Sequence, residues 1–366
     1  YRVEEVTPDT YESDQDGEDF FNTIKQVLFD IEGSKSWVDH LGETPEERPD
    51  VTINLYRDEV LFQSTTITDG GESYSFTDLP TYAVGSDVNP GETPDGHKFS
   101  YRVEEVTPDT YESDQDGEDF FNTIKQVEFD LGGSKAWIDG YAETPELRPT
   151  VTINLWRDNP NPGEGDEPYR KATITGGGTS YLFEDLPTYA VGDAVLDGEE
   201  ADGHVYEYHV TESPVEGYSS EQDGMDFTNT KLADVIIRKI WDDGDAFYRP
   251  ATPLTLELLK NGAFDRSATI ADPQGSGASW SYVFEDLPEY DENGKIDYTV
   301  YEPVVPAAPR YTATHNGLEV TNTSYVTITF VDYNGIPLKQ VKVKHGGSTT
   351  APTVTSDRVN YTFIGW

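Results

Sequence analysis

Three lysines, three glutamates and three asparagines recur at matching places along this 366-residue chain, each where a strand pattern turns it inward. In VEFDLGGSKAW (127–137), alternation puts Val127, Phe129, Leu131 and Trp137 on one face, and Lys135 shares it. Glu128, Asp130 and Ser134 take the other face, because side chains two apart in a strand point the same way. The pattern returns with Val27, Phe29, Ile31, Lys35 and Trp37, and again with Val235, Ile237, Lys239 and Trp241. By the same parity Glu105 follows Tyr101 and Val103, Glu212 follows Tyr208 and Val210, and Glu302 follows Tyr298 and Val300. Asn122 follows Phe120, Asn229 follows Met225 and Phe227, and Asn322 follows Leu318 and Val320.

An unpaired buried charge costs several kcal/mol, so each Lys, Glu and Asn set is expected to meet. Two chemistries suit such a meeting. One is a buried Lys–Glu ion pair with the Asn side chain as a hydrogen-bond partner. The other is covalent. An amine held in an apolar core loses its proton more readily and becomes a nucleophile. A buried carboxyl that stays protonated can polarise the Asn amide and shuttle the proton. Attack on the amide carbon then expels ammonia and leaves an Nε–Cγ isopeptide crosslink, an intramolecular reaction favoured by proximity.

The elements that would position these residues repeat. GSKSWVDHLGETPEERPDVTINLYRD (33–58) returns as GSKAWIDGYAETPELRPTVTINLWRD (133–158), and more distantly as IRKIWDDGDAFYRPATPLTLELLKNG (237–262). YSFTDLPTYAVG (74–85) returns at 181–192 and, altered, at 282–294. Three tandem units of roughly 90–105 residues begin near 26, 126 and 233, a period suited to beads on a string. Short alternating runs of Val, Ile, Thr, Tyr and Phe between Gly, Pro, Asn and Asp clusters predict an all-β sandwich in each. DQDG (114–117), EQDG (221–224) and DENG (291–294) read as hairpin turns. ESDQDGED echoes a calcium loop, but its twelfth position is Thr123 rather than the required Glu.

The ordered elements K-x-W, F-x-D-L-P, Y-x-V-x-E-x-x-P-x-x-Y and F/V-x-N-T resemble the Cna protein B-type domain of Gram-positive surface stalks and pilins, in triplicate over about 26–323. The resemblance implies tandem Ig-like β-sandwiches in which the Lys and Asn join spontaneously and the glutamate catalyses the step. Carried over by position, it implies Lys35–Asn122 assisted by Glu105, Lys135–Asn229 by Glu212, and Lys239–Asn322 by Glu302. The third unit departs in two places, with IRKIW for GSK-x-W and PVVPAAPRY for the x-x-P-x-x-Y tail. Residues 324–366 carry Lys339, Lys342, Lys344 and Arg358 against Asp332 and Asp357, and resemble a partial Listeria–Bacteroides repeat, implying a small β-grasp-like module.

The expected organisation is a remnant at 1–25, units at 26–125, 126–232 and 233–323, and the terminal module at 324–366. Residues 1–27 repeat 101–127 to the letter and read as the last third of a preceding unit, cut from a longer array. Glu5 and Asn22 there have no lysine upstream, so that copy is expected to be uncrosslinked and loosely ordered.

Composition narrows the function. A net charge of −45, from 70 acidic and 25 basic residues, argues against nucleic acid and anionic membranes as partners. With 23 Tyr and 16 Phe the chain can build cores, and with no cysteine it must staple small domains without disulfides. No apolar stretch approaches the length of a membrane span. The six His (40, 97, 204, 209, 315, 345) have no metal-ligand spacing, and no pattern calls for a cofactor or supports a hydrolase. The favoured reading is an extracellular stalk segment of a cell-wall adhesin or pilus, joined to neighbouring domains of a longer surface protein. The alternative is a module binding host protein or glycan, with the inserted loop DNPNPGEGDEPYR (158–170) as its candidate site.

Overall fold

The computed structural model describes residues 2–244, 246–305, 310–353 and 362–366. Pro306–Pro309, within the altered tail of the third acidic box, and Asp357, Arg358 and Tyr361 lie outside the described residues. By packing, the chain divides into two compact units, 1–131 with 155–170 and 182–209, and 132–154 with 171–181 and 210–366. Both are built almost wholly of strands.

Around the first lysine, one sheet runs in the order Ser73–Pro80, Leu28–Val38, Asp119–Ile124, Tyr111–Asp116, and a second in the order Val60–Ile67, Val51–Arg57, Tyr101–Val106. Val51, Ile53, Leu55, Ile67 and Val103 of the second sheet pack against Tyr74, Phe76, Leu79 and Phe120 of the first, making one sandwich core. The same arrangement recurs around Lys239, where Val235, Ile237, Phe284, Leu287 and Val320 meet Leu254, Leu256, Leu258, Ile270 and Val300. In the middle repeat the three-stranded sheet is Arg170–Ile174, Val151–Arg157, Tyr208–Glu212. These are immunoglobulin-like β-sandwiches.

The first strand of each repeat pairs with its last strand in parallel, which the long intervening chain permits. The register sets Trp37 beside Asn122, Trp137 beside Asn229 and Trp241 beside Asn322. Each lysine therefore lies two residues from its asparagine's partner, on the same face, as a diagonal neighbour across the strand pair. The expected boundaries at 232/233 and 323/324 fall inside unbroken strands, Asp226–Asp242 and Glu319–Val331. The second of these continues into a hairpin with Pro337–Lys344.

F-x-D-L-P also has a physical role. Asp78, Asp185 and Asp286 hold φ of 57°, 53° and 53°, where Asp is tolerated, and their backbone N–H groups donate to Asp30, Asp130 and Asp234. In two of the repeats the pairing register shifts at this point, between Phe29 and Ile31 and between Ala233 and Val235. Two sequence expectations need correction. Val27, Phe29, Val127 and Phe129 are exposed at the start of the first strand, where Phe29 and Phe129 make edge-on ring contacts with Tyr101 and Tyr208 from the facing sheet. The hairpin turns expected at DQDG and EQDG sit two residues later, centred on Gly117-Glu118 and Gly224-Met225, while the turn at DENG is where expected. The N-terminal copy forms a hairpin, Tyr11–Asp16 with Asp19–Ile24, whose first strand is exposed along its whole length.

Gly33 and Gly133 sit two residues before their lysines because the last hairpin passes too close for a side chain. A Cβ on Gly133 would stand 2.0 Å from the Met225 carbonyl oxygen and 2.7 Å from the Tyr181 hydroxyl, and Gly33 is equally confined by Glu118 and Tyr74. The third repeat has Ile237 here, fully buried, and its cross-strand partner Tyr282 swings to an exposed position. Gly133→Ala is expected to cost at least the ~1–3 kcal/mol of an overpacked core. Gly42→Ala, with nothing within 4 Å of the new methyl, should change stability little. Urea midpoints of the two variants check this, and equal midpoints would contradict the close-approach argument.

Candidate crosslinking sites

All nine residues singled out by strand parity reach the interior of a sandwich. Lys35, Lys135 and Lys239 are at most 2% exposed, and Asn122, Asn229 and Asn322 are fully buried. The glutamate side chains, arriving from the facing sheet, are at most 2% exposed. Lys35 Nζ lies 3.4 Å from Glu105, Lys135 Nζ 3.0 Å from Glu212, and Lys239 Nζ 2.9 Å from Glu302. Glu105 accepts a 2.7 Å hydrogen bond from Asn122 Nδ2, and Glu302 a 3.0 Å bond from Asn322 Nδ2. In the middle repeat the Asn229 amide is buried beside the pair with neither of its polar atoms hydrogen-bonded.

The third set, despite its divergent sequence, is the most completely hydrogen-bonded: Lys239, Glu302 and Asn322 form one chain of contacts. The altered tail still delivers its tyrosine, since the Tyr311 hydroxyl donates to Asp243 at 3.1 Å as Tyr111 donates to Asp39 at 2.9 Å. At the N-terminus Glu5 and Asn22 also meet, at 2.5 Å, but on an exposed hairpin with no lysine beside them among the described residues.

Burial decides the lysine electrostatics. It pushes Lys35 and Lys239 down to about 8 and lowers Lys135 as well, against the opposing pull of the glutamate in each repeat. Part of the Lys35 and Lys239 amine is thus neutral near physiological pH and can act as a nucleophile, and Lys135 is shifted in the same direction. The three asparagine Oδ1 atoms share one more property: each is buried without a hydrogen bond. An orphaned buried carbonyl costs about 1–3 kcal/mol. Turning an amide about Cβ–Cγ exchanges Nδ2 and Oδ1, so the oxygen can then accept from a protonated glutamate and the amide carbon becomes more electrophilic.

Strand parity missed the residues around each tryptophan. Asp39, Arg48 and Tyr111 converge on Trp37, Asp139, Arg148 and Tyr218 on Trp137, and Asp243, Arg249 and Tyr311 on Trp241. The signal was present as K-x-W-x-D followed by an R-P step, in all three repeats. The inserted loop at 158–170 is committed to the fold at its end, where Tyr169 and Tyr206 flank the Arg157 guanidinium at 4.2 and 4.0 Å and Glu199 pairs with it at 2.7 Å. Among the described residues no helix is long and apolar enough to cross a membrane, and no cluster of His, Cys, Asp and Glu could hold a metal ion.

Comparison with known proteins identifies the family of these repeats. The Cna protein B-type domain matches residues 31–123, 131–230 and 235–323. A collagen adhesin of Staphylococcus aureus is 27% identical over 332 residues, covering 87% of the chain, while the chain spans only 25% of that relative. Among solved structures, two B repeat units of the collagen-binding protein Cna of S. aureus are 24% identical, with 87% and 86% of the two chains covered and a TM-score of 0.26. The pilus adhesin SpaC of Lactobacillus rhamnosus GG is 15% identical, covering 85% of this chain and 45% of its own, with a TM-score of 0.22. Cna B-type domains are structural modules of adhesins and pilins rather than enzymes. With three ordered matches over most of its length, the chain belongs to the Cna protein B-type domain family.

Proposed function

We propose that this chain is an extracellular stalk segment of a Gram-positive surface adhesin or pilus, each of its three repeats closed by a Lys–Asn isopeptide bond. The observation that carries the reading is the threefold burial of a Lys–Glu pair and an Asn, hydrogen-bonded to the Glu in the first and third repeats, with each asparagine carbonyl left without a partner. Family membership and the S. aureus collagen adhesin relative support the surface role. The remaining segment, 324–366, is read as a partial Listeria–Bacteroides module that prolongs the stalk.

The chemistry balances without a cofactor. Neutral Lys Nζ attacks Asn Cγ, forming the new N–C bond, while the protonated glutamate stabilises the oxygen that gains charge. The glutamate gives its proton to that oxygen, takes one from Nζ as a carboxylate and delivers it to Nδ2. As the Cγ–Nδ2 bond breaks and ammonia leaves, the C=O re-forms and its proton returns to the glutamate. Glu105, Glu212 and Glu302 each turn over once. Because first and last strands are parallel neighbours, a Lys35–Asn122 bond removes residues 36–121 from the path of a pulling force. Closing a loop of roughly 80–95 residues also adds about 4–5 kcal/mol on the disulfide scale, in place of the missing cysteines.

Intact mass should fall short of the sequence mass by about 17 Da per bond, the mass of one ammonia. Glu212→Ala should leave only the Lys135–Asn229 bond unformed, and a chain of full sequence mass would overturn the crosslinks altogether.

A second expectation follows from the lowered lysines. In Asn322→Ala, Lys239 remains a free amine that titrates near 8 when folded and near its ordinary 10.5 when unfolded. Between those values the unfolded state holds the extra proton, so stability should rise with pH across the window. Urea midpoints from pH 8 to 10.5 check it, and the rise should vanish when Lys239→Met is added. A flat or falling profile in Asn322→Ala would contradict the buried free amine.

A further inference from the structure

Beside each lysine stands a second buried cluster to which the crosslinking chemistry assigns no role. The Trp37 ring centroid lies 4.3 Å from Lys35 Nζ and 5.4 Å from the Arg48 guanidinium carbon, with Tyr111 edge-on at 5.0 Å. Arg48 donates through Nε and Nη2 to both oxygens of Asp39, each at 3.0 Å, and the Tyr111 hydroxyl donates to the same carboxylate. The tryptophan is therefore held by a ring contact and by a guanidinium that is itself locked in a two-point ion pair.

The cluster recurs twice more. Around Trp137 the distances to Lys135, Arg148 and Tyr218 are 4.8, 5.4 and 5.4 Å, and around Trp241 those to Lys239, Arg249 and Tyr311 are 4.7, 5.0 and 5.8 Å. It survives sequence change. Arg48 and Arg148 follow their aspartates by nine residues but Arg249 follows Asp243 by six, and Tyr311 comes from the altered box. Different local chains thus rebuild one constellation beside the amine.

We propose that Asp39, Arg48, Trp37 and Tyr111, with their counterparts in the other two repeats, are positioning residues that fix the lysine amine for attack and set how fast its crosslink forms. The inference rests on the isopeptide reading. The ring walls one side of Nζ with an apolar, water-excluding surface, so the amine is held towards Glu105 and the asparagine. The charged groups acting on Lys35 are Glu105 from the facing sheet, with Arg48 and Asp39 beyond the end of its own strand. Tyr111, from the strand next to Asn122, completes the surroundings as a neutral phenol. Arg48 opposes the ammonium form, and Asp39 fixes Arg48 in place. Removing the guanidinium charge leaves Asp39 unopposed, so the amine should retain its proton to higher pH.

The test follows crosslinking in the whole chain made by cell-free synthesis. Translation is stopped, samples are denatured at intervals, and joined peptides are counted after digestion. The second and third repeats report on the same molecules as internal standards. Arg48→Gln should slow Lys35–Asn122 joining about tenfold against those standards and raise the pH of half-maximal rate, whereas Arg48→Lys, which keeps the charge, should restore that pH. Tyr111→Phe, which deletes one hydroxyl, should slow joining severalfold, and it decides the matter if Arg48→Gln leaves the first repeat protease-sensitive. Unchanged rates and pH midpoints in the folded variants would overturn the positioning role. Absence of joined peptides from every repeat of the unaltered chain would instead overturn the isopeptide reading on which it rests.

Discussion

The constraint on which each repeat depends is the cost of carrying an ammonium into a sandwich core. A lysine there must find a carboxylate, give up its proton, or react. Lys35, Lys135 and Lys239 have their carboxylates, yet burial still holds their basicity down. An ion pair this deep contributes little net stability, since desolvation offsets its attraction. Conversion to a neutral amide removes the charge and with it the penalty. Under the proposed crosslink, the feature that makes the unreacted core poor is the one that favours reaction.

Topology supplies the geometry. Parallel pairing of the first and last strands makes lysine and asparagine diagonal neighbours, and the facing sheet brings the glutamate between them. Around that fixed point the packing is adjustable. Where the first two repeats keep a glycine and a buried tyrosine, the third uses Ile237 and turns Tyr282 outward. The Lys, Glu and Asn set is unchanged, and in the third repeat it is the most fully connected.

Much of this was legible in the sequence because a strand's side-chain period is two, so one register assigns every inward residue. That sufficed for all nine Lys, Glu and Asn positions, although Glu212 ends its strand and Glu302 lies one residue beyond its own. It failed at the start of the first strand. Val27 and Phe29 share the lysine's parity, yet they stay exposed at the start of the strand, and parity carries no information about how far the facing sheet covers a strand. Arg48 and Arg249 were invisible for a different reason: they follow short 3-10 turns, and only the fold brings them back over Trp37 and Trp241. Their trace was the recurrence of an Asp two residues beyond the tryptophan and a later Arg-Pro step. Boundaries were hidden too, since a strand such as Asp226–Asp242 serves as the last of one repeat and the first of the next.

The most direct test of the central claim is the electron density between Lys239 Nζ and Asn322 Cγ in a crystal of the whole chain. The account requires continuous density at the length of an amide bond, about 1.33 Å, planar and without Nδ2. A gap of roughly 3 Å, the near-attack separation of unreacted groups, with an intact asparagine amide would contradict it.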